Sequence, residues 1–165
     1  MIRLSPLPAP LRMTDPAVLI ATGFGSGRFS PAPGTWGSIA AWIIGIVLMM
    51  SGPGKAALCL AFIFSCLAGW WAVERIEEQT DSHDDGMIVI DEWAGIWLAM
   101  LMTAGHPVFL LMALALFRLF DIWKPGPIGW LDRHVQGPAG VMLDDLAAGL
   151  VTGLCTFGLG AWILN

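Results

Sequence analysis

Charged residues are scarce in this 165-residue chain. They make up 13% of the sequence, against about 25% in an average soluble protein. Eight residues are Lys or Arg, and the formal net charge is −5. Proteins that bind the phosphates of DNA or RNA need a basic surface. The composition therefore argues against a nucleic-acid partner.

Cysteine is also scarce, with three residues that all lie in apolar stretches. Cys59 and Cys66 are seven positions apart, which on a helix is about 10 Å along the axis and too far for a disulfide. Cys155 lies in a separate apolar run. We therefore expect three small packing residues and no disulfide.

Charge is missing altogether from four long stretches, at 29–54, 56–73, 93–117 and 146–165. Uncharged, apolar runs of about 18 or more residues are typical of membrane-spanning helices. Apolar residues make up 56% of the chain, and no break in composition divides it. The sequence predicts one membrane-embedded domain over residues 1–165.

The stretch 93–117 could form one span, or two spans that fold back at residues 105–107. A single span would divide the Lys and Arg residues four against four, whereas a hairpin places seven on one side and Lys55 alone on the other. The positive-inside rule favours the hairpin. The prediction is an all-α polytopic bundle with its polar segments facing the cytoplasm, and with five transmembrane helices at about 35–50, 56–73, 88–104, 107–123 and 141–164.

Acidic residues gather at the predicted cytoplasmic ends of these helices. Ionisable groups partly within a membrane cost a few kcal/mol unless they are paired or bound. Adjacent acidic pairs at one interface would repel each other without cations between them, and carboxylate oxygens suit hard ions such as Mg²⁺. A metal site is therefore predicted. The acids concerned are Asp91, Glu92, Asp121, Asp132, Asp144 and Asp145.

A plainer alternative stays open, in which these acids only solvate helix ends. Asp144 and Asp145 fall in the first turn of the last predicted helix, where the helix dipole favours negative charge. Asp121 is not explained in this way, because it lies near a predicted helix C-terminus.

Basic residues share this face. Arg118, Asp121 and Lys124 are spaced three apart, so on one helix they would form a stripe, which could be only an ion-pair ladder. Alternatively, Arg118 and Lys124 could hold an anionic phosphate beside the metal, with Arg offering a bidentate fork.

The segment "GFGSGRFSPAPGTWGS" at 23–38 brings glycines, Arg28, Thr35 and Ser38 to the start of the first span. Glycine allows close backbone approach, and amides at a helix N-terminus favour anions. The pattern matches neither the Walker motif nor the dinucleotide fingerprint. Thr35 could equally be a simple N-cap, and the role of His83 in "DSHDDG" is left open.

Three blocks of the sequence resemble the phosphatidylglycerophosphatase A family of bacterial membrane lipid phosphatases. They are "GFGSGRFSPAPGTWGS" at 23–38, "HDDGMIVIDEWAGIW" at 83–97 and "FRLFDIWKPGPIGWLDRHVQGPAGVMLDDLAAG" at 117–149. The resemblance implies a helical, Mg²⁺-dependent enzyme of phospholipid biosynthesis in the bacterial cytoplasmic membrane. Its substrate would be phosphatidylglycerophosphate, its product phosphatidylglycerol, and its active site would face the cytoplasm.

The resemblance and the charge pattern together give a set of expected roles. Asp121 could be an ion-pair partner, a base or a nucleophile. The metal ligands would be Asp91, Glu92, Asp144 and Asp145; the catalytic residues would be these four with Asp121 and Lys124; and the substrate-binding residues would be Arg28, Thr35, Ser38, Arg118, Lys124, Asp132 and Arg133.

Other chemistries fit less well. No cysteine is followed by an arginine six positions later, no Asp-x-Asp occurs, and no Gly-x-Ser-x-Gly is present, which argues against cysteine-dependent, haloacid-dehalogenase and serine hydrolase mechanisms. One alternative is another metal-dependent lipid phosphotransferase, although its Asp-x-x-Asp-Gly pattern is absent. A small cation transporter is the other alternative, but transport needs polar groups near the middle of the bilayer.

Overall fold

A computed structural model describes residues 2–80, 86–103 and 105–164. The described part is almost entirely helical, as predicted, with one two-stranded antiparallel ribbon and a 3-10 turn at Ser26–Arg28. The strands are β1 (Arg3–Leu4) and β2 (Phe29–Ser30), and the helices are α1 (Pro16–Ala21), α2 (Pro33–Met50), α3 (Lys55–Thr80), α4 (Ile90–Met102), α5 (Pro107–Trp123), α6 (Pro127–His134) and α7 (Gly137–Leu164).

Proline marks several helix starts, because its fixed φ suits the first helical turn. A backbone N–H in that turn has no hydrogen-bond partner within the helix, so the N–H that proline lacks is not missed. At α1 the Asp15 carboxylate accepts a hydrogen bond from the Ala17 N–H at 2.8 Å, with Pro16 as the first helical residue. At α5, Gly105 adopts a φ of +76° and Pro107 begins the helix. The break predicted at 105–107 is thus confirmed, and α4 and α5 are separate helices.

Helix α4 lies at the centre of the bundle and most of its residues are buried. It packs closely on α7, where a Cβ added to Gly149 would overlap the Gly95 carbonyl, and one added to Gly95 would lie 2.6 Å from the Asp145 carbonyl oxygen. On its other side, the Trp97 indole N–H donates to the Ala41 carbonyl of α2 at 2.7 Å. Two small residues therefore let α4 and α7 approach each other at the level of the acidic residues.

The number of long helices differs from the prediction. Within the described ranges, three helices rather than five are long and apolar enough to cross a membrane: α2, α3 and α7. Helix α4 has 13 residues and α5 has 17, which at 1.5 Å per residue give about 20 Å and 25 Å, less than a hydrocarbon layer of about 30 Å. Charge runs alone overestimated the length of α4, because residues 88–89, at the N-terminal end of the predicted span, are not helical.

The outer faces of the three long helices carry large apolar side chains. Their exposure would be unfavourable in water and suits contact with lipid tails. Together with their lengths, it identifies the chain as a membrane protein. Examples are Val47 on α2, Leu60 and Leu67 on α3, and Leu154, Phe157 and Trp162 on α7.

Candidate active site

The first acidic pair lies in the first turn of α4. The Asp91 carboxylate accepts a hydrogen bond from the Glu92 N–H at 3.0 Å. Just before this turn, the Val89 N–H donates to the Ala21 carbonyl at 2.8 Å, which ties the start of α4 to α1. Negative charge at a helix N-terminus is favoured by the free amides and the helix dipole.

The second acidic pair lies further inside its helix than predicted. Helix α7 begins at Gly137 and not near Val141, so Asp144 and Asp145 are about two turns into it. They are only 6% and 3% exposed. The helix-dipole explanation for this pair therefore weakens, because that effect is limited to the first turn. Buried carboxylates in this position need a counter-charge.

Three of the four predicted metal ligands come together. Asp91, Glu92 and Asp145 each offer an oxygen within 4.8 Å of the others. Glu92 Oε2 and Asp145 Oδ1 are buried, and no described residue donates a hydrogen bond to either atom. Converging carboxylate oxygens without donors are the chemistry that a hard divalent cation requires. This carboxylate trio fits Mg²⁺.

The fourth predicted ligand, Asp144, is engaged differently. Its Oδ2 accepts from Lys124 Nζ at 2.7 Å, and the same ammonium also pairs with Asp132. Burial of Lys124 disfavours its charged form, but the hydrogen bonds to Asp132 and Asp144 outweigh this, and the pKa of Lys124 is raised above its ordinary value. Lys124 thus carries a fixed positive charge beside the carboxylate trio.

The predicted stripe of Arg118, Asp121 and Lys124 is interrupted. Helix α5 ends at Trp123, and Lys124 adopts a left-handed conformation with φ of 48° that directs it away from the stripe. Arg118 and Asp121 do form the i,i+3 ion pair, at 2.5 Å. The ladder is therefore limited to one pair, and Lys124 belongs to another group of side chains.

A cavity of about 270 Å³ opens beside these residues. Asp91, Lys124, Asp132 and Asp144 supply its charged wall, and the chain from Val135 to Val141 supplies the opposite wall. No residue of this second wall is among the predicted site residues. The sequence does contain an indication of this wall, because "QGPAG" places two glycines around a proline. In the structure Gly137 has a φ of +66°, and a side chain on Gly140 would overlap the Val135 carbonyl.

Arg118 lies behind the cavity and is surrounded by protein groups. Its Nη1 approaches Asp121 at 2.5 Å, Ser38 Oγ at 3.3 Å and Glu92 Oε1 at 3.7 Å. Ser38 is 0% exposed, so it is not accessible for the predicted contact with substrate. The structure instead joins Ser38, Arg118 and Glu92 in one polar network.

The remaining predicted substrate-binding residues are not brought into this network. Arg28 Nε donates to the Ser5 carbonyl at 3.1 Å, and its side chain borders a different cavity. Thr35 is half-buried in the first turn of α2, and Arg133 is exposed on α6. Within the described ranges neither Thr35 nor Arg133 pairs with an acidic residue. His83 lies outside the described residues.

Comparison with known proteins adds independent information. The profile of the family described as "Phosphatidylglycerophosphatase A" matches residues 19–160. Proteins of that name from Haemophilus influenzae and Escherichia coli are 36% and 34% identical, over 93% and 91% of this chain and 94% and 87% of their own. A "Putative phosphatidylinositol-3-phosphatase" from Bacteroides thetaiotaomicron is 38% identical over 90% of this chain and 95% of its own. No solved structure matches the chain.

Proposed function

The chain belongs to the phosphatidylglycerophosphatase A family, and from this premise we propose that it hydrolyses the terminal phosphate monoester of phosphatidylglycerophosphate in a Mg²⁺-dependent reaction. The family is one of phosphatases, so the chain is an enzyme. The products of the proposed reaction are inorganic phosphate and phosphatidylglycerol, a step of phospholipid biosynthesis.

One observation carries the proposal: the carboxylate trio adjoins a cavity with a fixed cation on its wall. Asp91 belongs to both the trio and the cavity wall, and Lys124 faces the same cavity. A phosphate monoester has the charge and size to be held between an ammonium group and a metal-binding cluster. Substrate would then replace some of the contacts that Lys124 makes with Asp132 and Asp144.

Asp91, Glu92 and Asp145 would hold the Mg²⁺. When bound, the ion supplies Lewis-acid polarisation of the phosphoryl oxygens. Lys124 orients the phosphate and offsets charge that develops on its oxygens in the transition state. Water adds to phosphorus, the bond from phosphorus to the lipid oxygen breaks, and that oxygen takes up a proton. Besides Asp91, which would hold the ion, the carboxylates on the cavity wall are Asp132 and Asp144, and either can accept the water proton and return it to the lipid oxygen.

Asp121 is better suited to pair with Arg118 than to react with substrate. Of the three roles open to it, nucleophile and base both require access to the cavity. Its oxygen lies 2.5 Å from Arg118 Nη1, its side chain is 13% exposed, and it is not part of the cavity wall. We assign Asp121 the ion-pair role.

The proposed site faces the cytoplasm in the bacterial inner membrane. Lys55 lies at the other end of α4, where Nζ donates to the Leu101 and Thr103 carbonyls at 3.2 Å and 2.9 Å. Lys55 is thus at the end of α4 that lies away from the proposed site. This position supports the uneven distribution of Lys and Arg that favours a cytoplasmic site.

The experiment is phosphate release from purified protein in detergent micelles with Mg²⁺. Phosphatidylglycerophosphate is compared with phosphatidylinositol 3-phosphate, because one relative is named for that activity. Release from the first substrate supports the proposal, and stronger release from the second would replace it. Cation flux into vesicles without any phosphate release would favour the transporter alternative instead.

A further inference from the structure

The start of α2 contacts the site without reaching the cavity, through Ser38 and Gly34. The Ser38 hydroxyl donates to the Gly34 carbonyl at 2.8 Å, a bond within the helix. This fixes the hydroxyl proton, and the oxygen lone pairs remain to accept from Arg118 Nη1 at 3.3 Å. Ser38 is therefore an acceptor with a defined direction.

Gly34 adds a steric constraint to the same pair of side chains. A Cβ at this position would overlap Glu92 Oε1 and would lie 3.2 Å and 3.3 Å from Arg118 Nη1 and Nη2. Any residue other than glycine would thus displace the Glu92 carboxylate or the guanidinium. The first turn of helix α2 therefore packs directly against the Glu92–Arg118 pair.

The position of Arg118 determines which Glu92 oxygen is available. Arg118 Nη1 faces Glu92 Oε1 at 3.7 Å, whereas Glu92 Oε2 is buried, without a described donor, in the residue that joins the carboxylate trio. Asp121 and Ser38 hold Nη1 more closely, at 2.5 Å and 3.3 Å. Without Ser38, one of the two closest contacts that hold the guanidinium in its position beside Glu92 is lost.

We infer that Ser38 and Gly34 are positioning residues: they hold Arg118 between Asp121 and Glu92, so that the Glu92 carboxylate is oriented toward Asp91 and Asp145. Neither residue touches substrate. This inference deepens the proposed function and rests on it for the identity of the ion. The network itself consists of contacts among protein atoms.

The test measures Mn²⁺ binding directly, by electron paramagnetic resonance of the purified protein without substrate, together with kcat and KM for phosphatidylglycerophosphate. For Ser38→Ala we expect about tenfold weaker Mn²⁺ binding, because a hydrogen bond to a charged group is lost, and a lower kcat with KM nearly unchanged. Ser38→Thr keeps the hydroxyl and should restore at least part of the binding. Gly34→Ala should weaken Mn²⁺ binding without removing any hydrogen-bonding group.

Ser65→Ala is the matched control. Ser65 is also a buried serine on a long helix, and its hydroxyl donates to the Phe62 carbonyl at 2.7 Å, but it contacts none of the charged residues described above. If Ser38→Ala and Ser65→Ala lower the melting temperature alike and leave Mn²⁺ binding at the wild-type value, Ser38 is merely structural and the inference is overturned.

The outcomes separate this inference from the proposed function. Wild-type protein that binds Mn²⁺ but releases no phosphate would overturn the function, and weaker binding by Ser38→Ala would still support the positioning role. Wild-type protein that releases phosphate while Ser38→Ala and Gly34→Ala both bind Mn²⁺ normally would overturn the positioning role alone. Absence of Mn²⁺ binding by the wild type would contradict both.

Discussion

At the scale of single residues, the chemistry depends on which charges are fixed by partners. Lys124 has two carboxylate partners, Asp132 and Asp144, and its raised pKa keeps it protonated. Because the pKa of Lys124 is raised, its interaction with the two ionised carboxylates contributes stability that is fully present at neutral pH and is lost only as the pH rises above the ordinary lysine pKa of about 10.4. Activity changes between pH 6 and 9 therefore cannot come from Lys124.

We expect Lys124→Ala to lower kcat/KM by about 10- to 100-fold, since charged hydrogen bonds are worth about 1.5–3 kcal/mol. The loss should be the same at pH 6 and pH 9. Arg75→Ala is the control, because Arg75 forms an exposed pair with Glu78 on α3, and such pairs contribute little. Equal activity of Lys124→Ala and Arg75→Ala would exclude a role for Lys124.

At the scale of helices, the close crossing of α4 and α7 sets the distance between the two acidic pairs. Gly149 allows this crossing, because a side chain there would overlap the Gly95 backbone. Gly149→Ala should lower the unfolding free energy by about 1–3 kcal/mol through overpacking and should also reduce activity, because Asp145 would move away from Asp91. The readouts are the thermal unfolding midpoint and phosphate release.

Gly158→Ala on the same helix is the control for Gly149→Ala. A Cβ at Gly158 has no described atom within 4 Å beyond its own helix and chain neighbours. Alanine there should preserve or slightly raise stability, since alanine has the better helix propensity. Equal effects of the two substitutions would mean that helix propensity, and not the crossing, is responsible.

The helices were predictable from the sequence because their causes are local. Charge-free runs indicated the helix positions, and the hairpin at 105–107 followed from the charge balance. Helix lengths were less predictable, because an apolar run does not distinguish a helix from non-helical chain such as residues 88–89. The start of α7 at Gly137 was missed because Gly and Pro are usually read as turn residues.

The site was predictable as a set of acids at one face but not in its pairings. The convergence of Asp91, Glu92 and Asp145 depends on how α4 and α7 pack. The contact of Asp144 with Lys124 depends on the left-handed turn at the end of α5. Sequence spacing carries neither kind of information. The burial of Ser38 likewise depends on the packing around α2.

At the scale of the whole molecule, the described fold separates a charged end from an apolar remainder. Lys55 and the turn between α2 and α3 lie away from the acidic cluster. The proposed orientation predicts that Arg133→Cys, in a variant lacking the native cysteines, is shielded from an impermeant maleimide in intact cells. Ser51→Cys, in the exposed turn, should react under the same conditions. The reverse labelling pattern would invert the topology.

The separation of a charged end from an apolar remainder would allow a phospholipid substrate to be bound without leaving the membrane. The exposed apolar faces of α2, α3 and α7 suit contact with lipid tails, and under the proposed function the cavity beside Lys124 would receive the polar headgroup. In the proposed reaction, catalysis would depend on the three carboxylates that converge at the charged end.

The most direct test measures phosphate release from phosphatidylglycerophosphate against Mg²⁺ concentration for wild type, Asp91→Asn and Asp145→Asn. Wild type should be inactive after chelation and recover with added Mg²⁺. Each variant, which replaces one oxygen of the carboxylate trio by an amide, should need at least about tenfold more Mg²⁺, as weakened ligand shells typically do. Full activity of the wild type in excess chelator, or an unchanged Mg²⁺ requirement in both variants, would contradict a metal site at these residues.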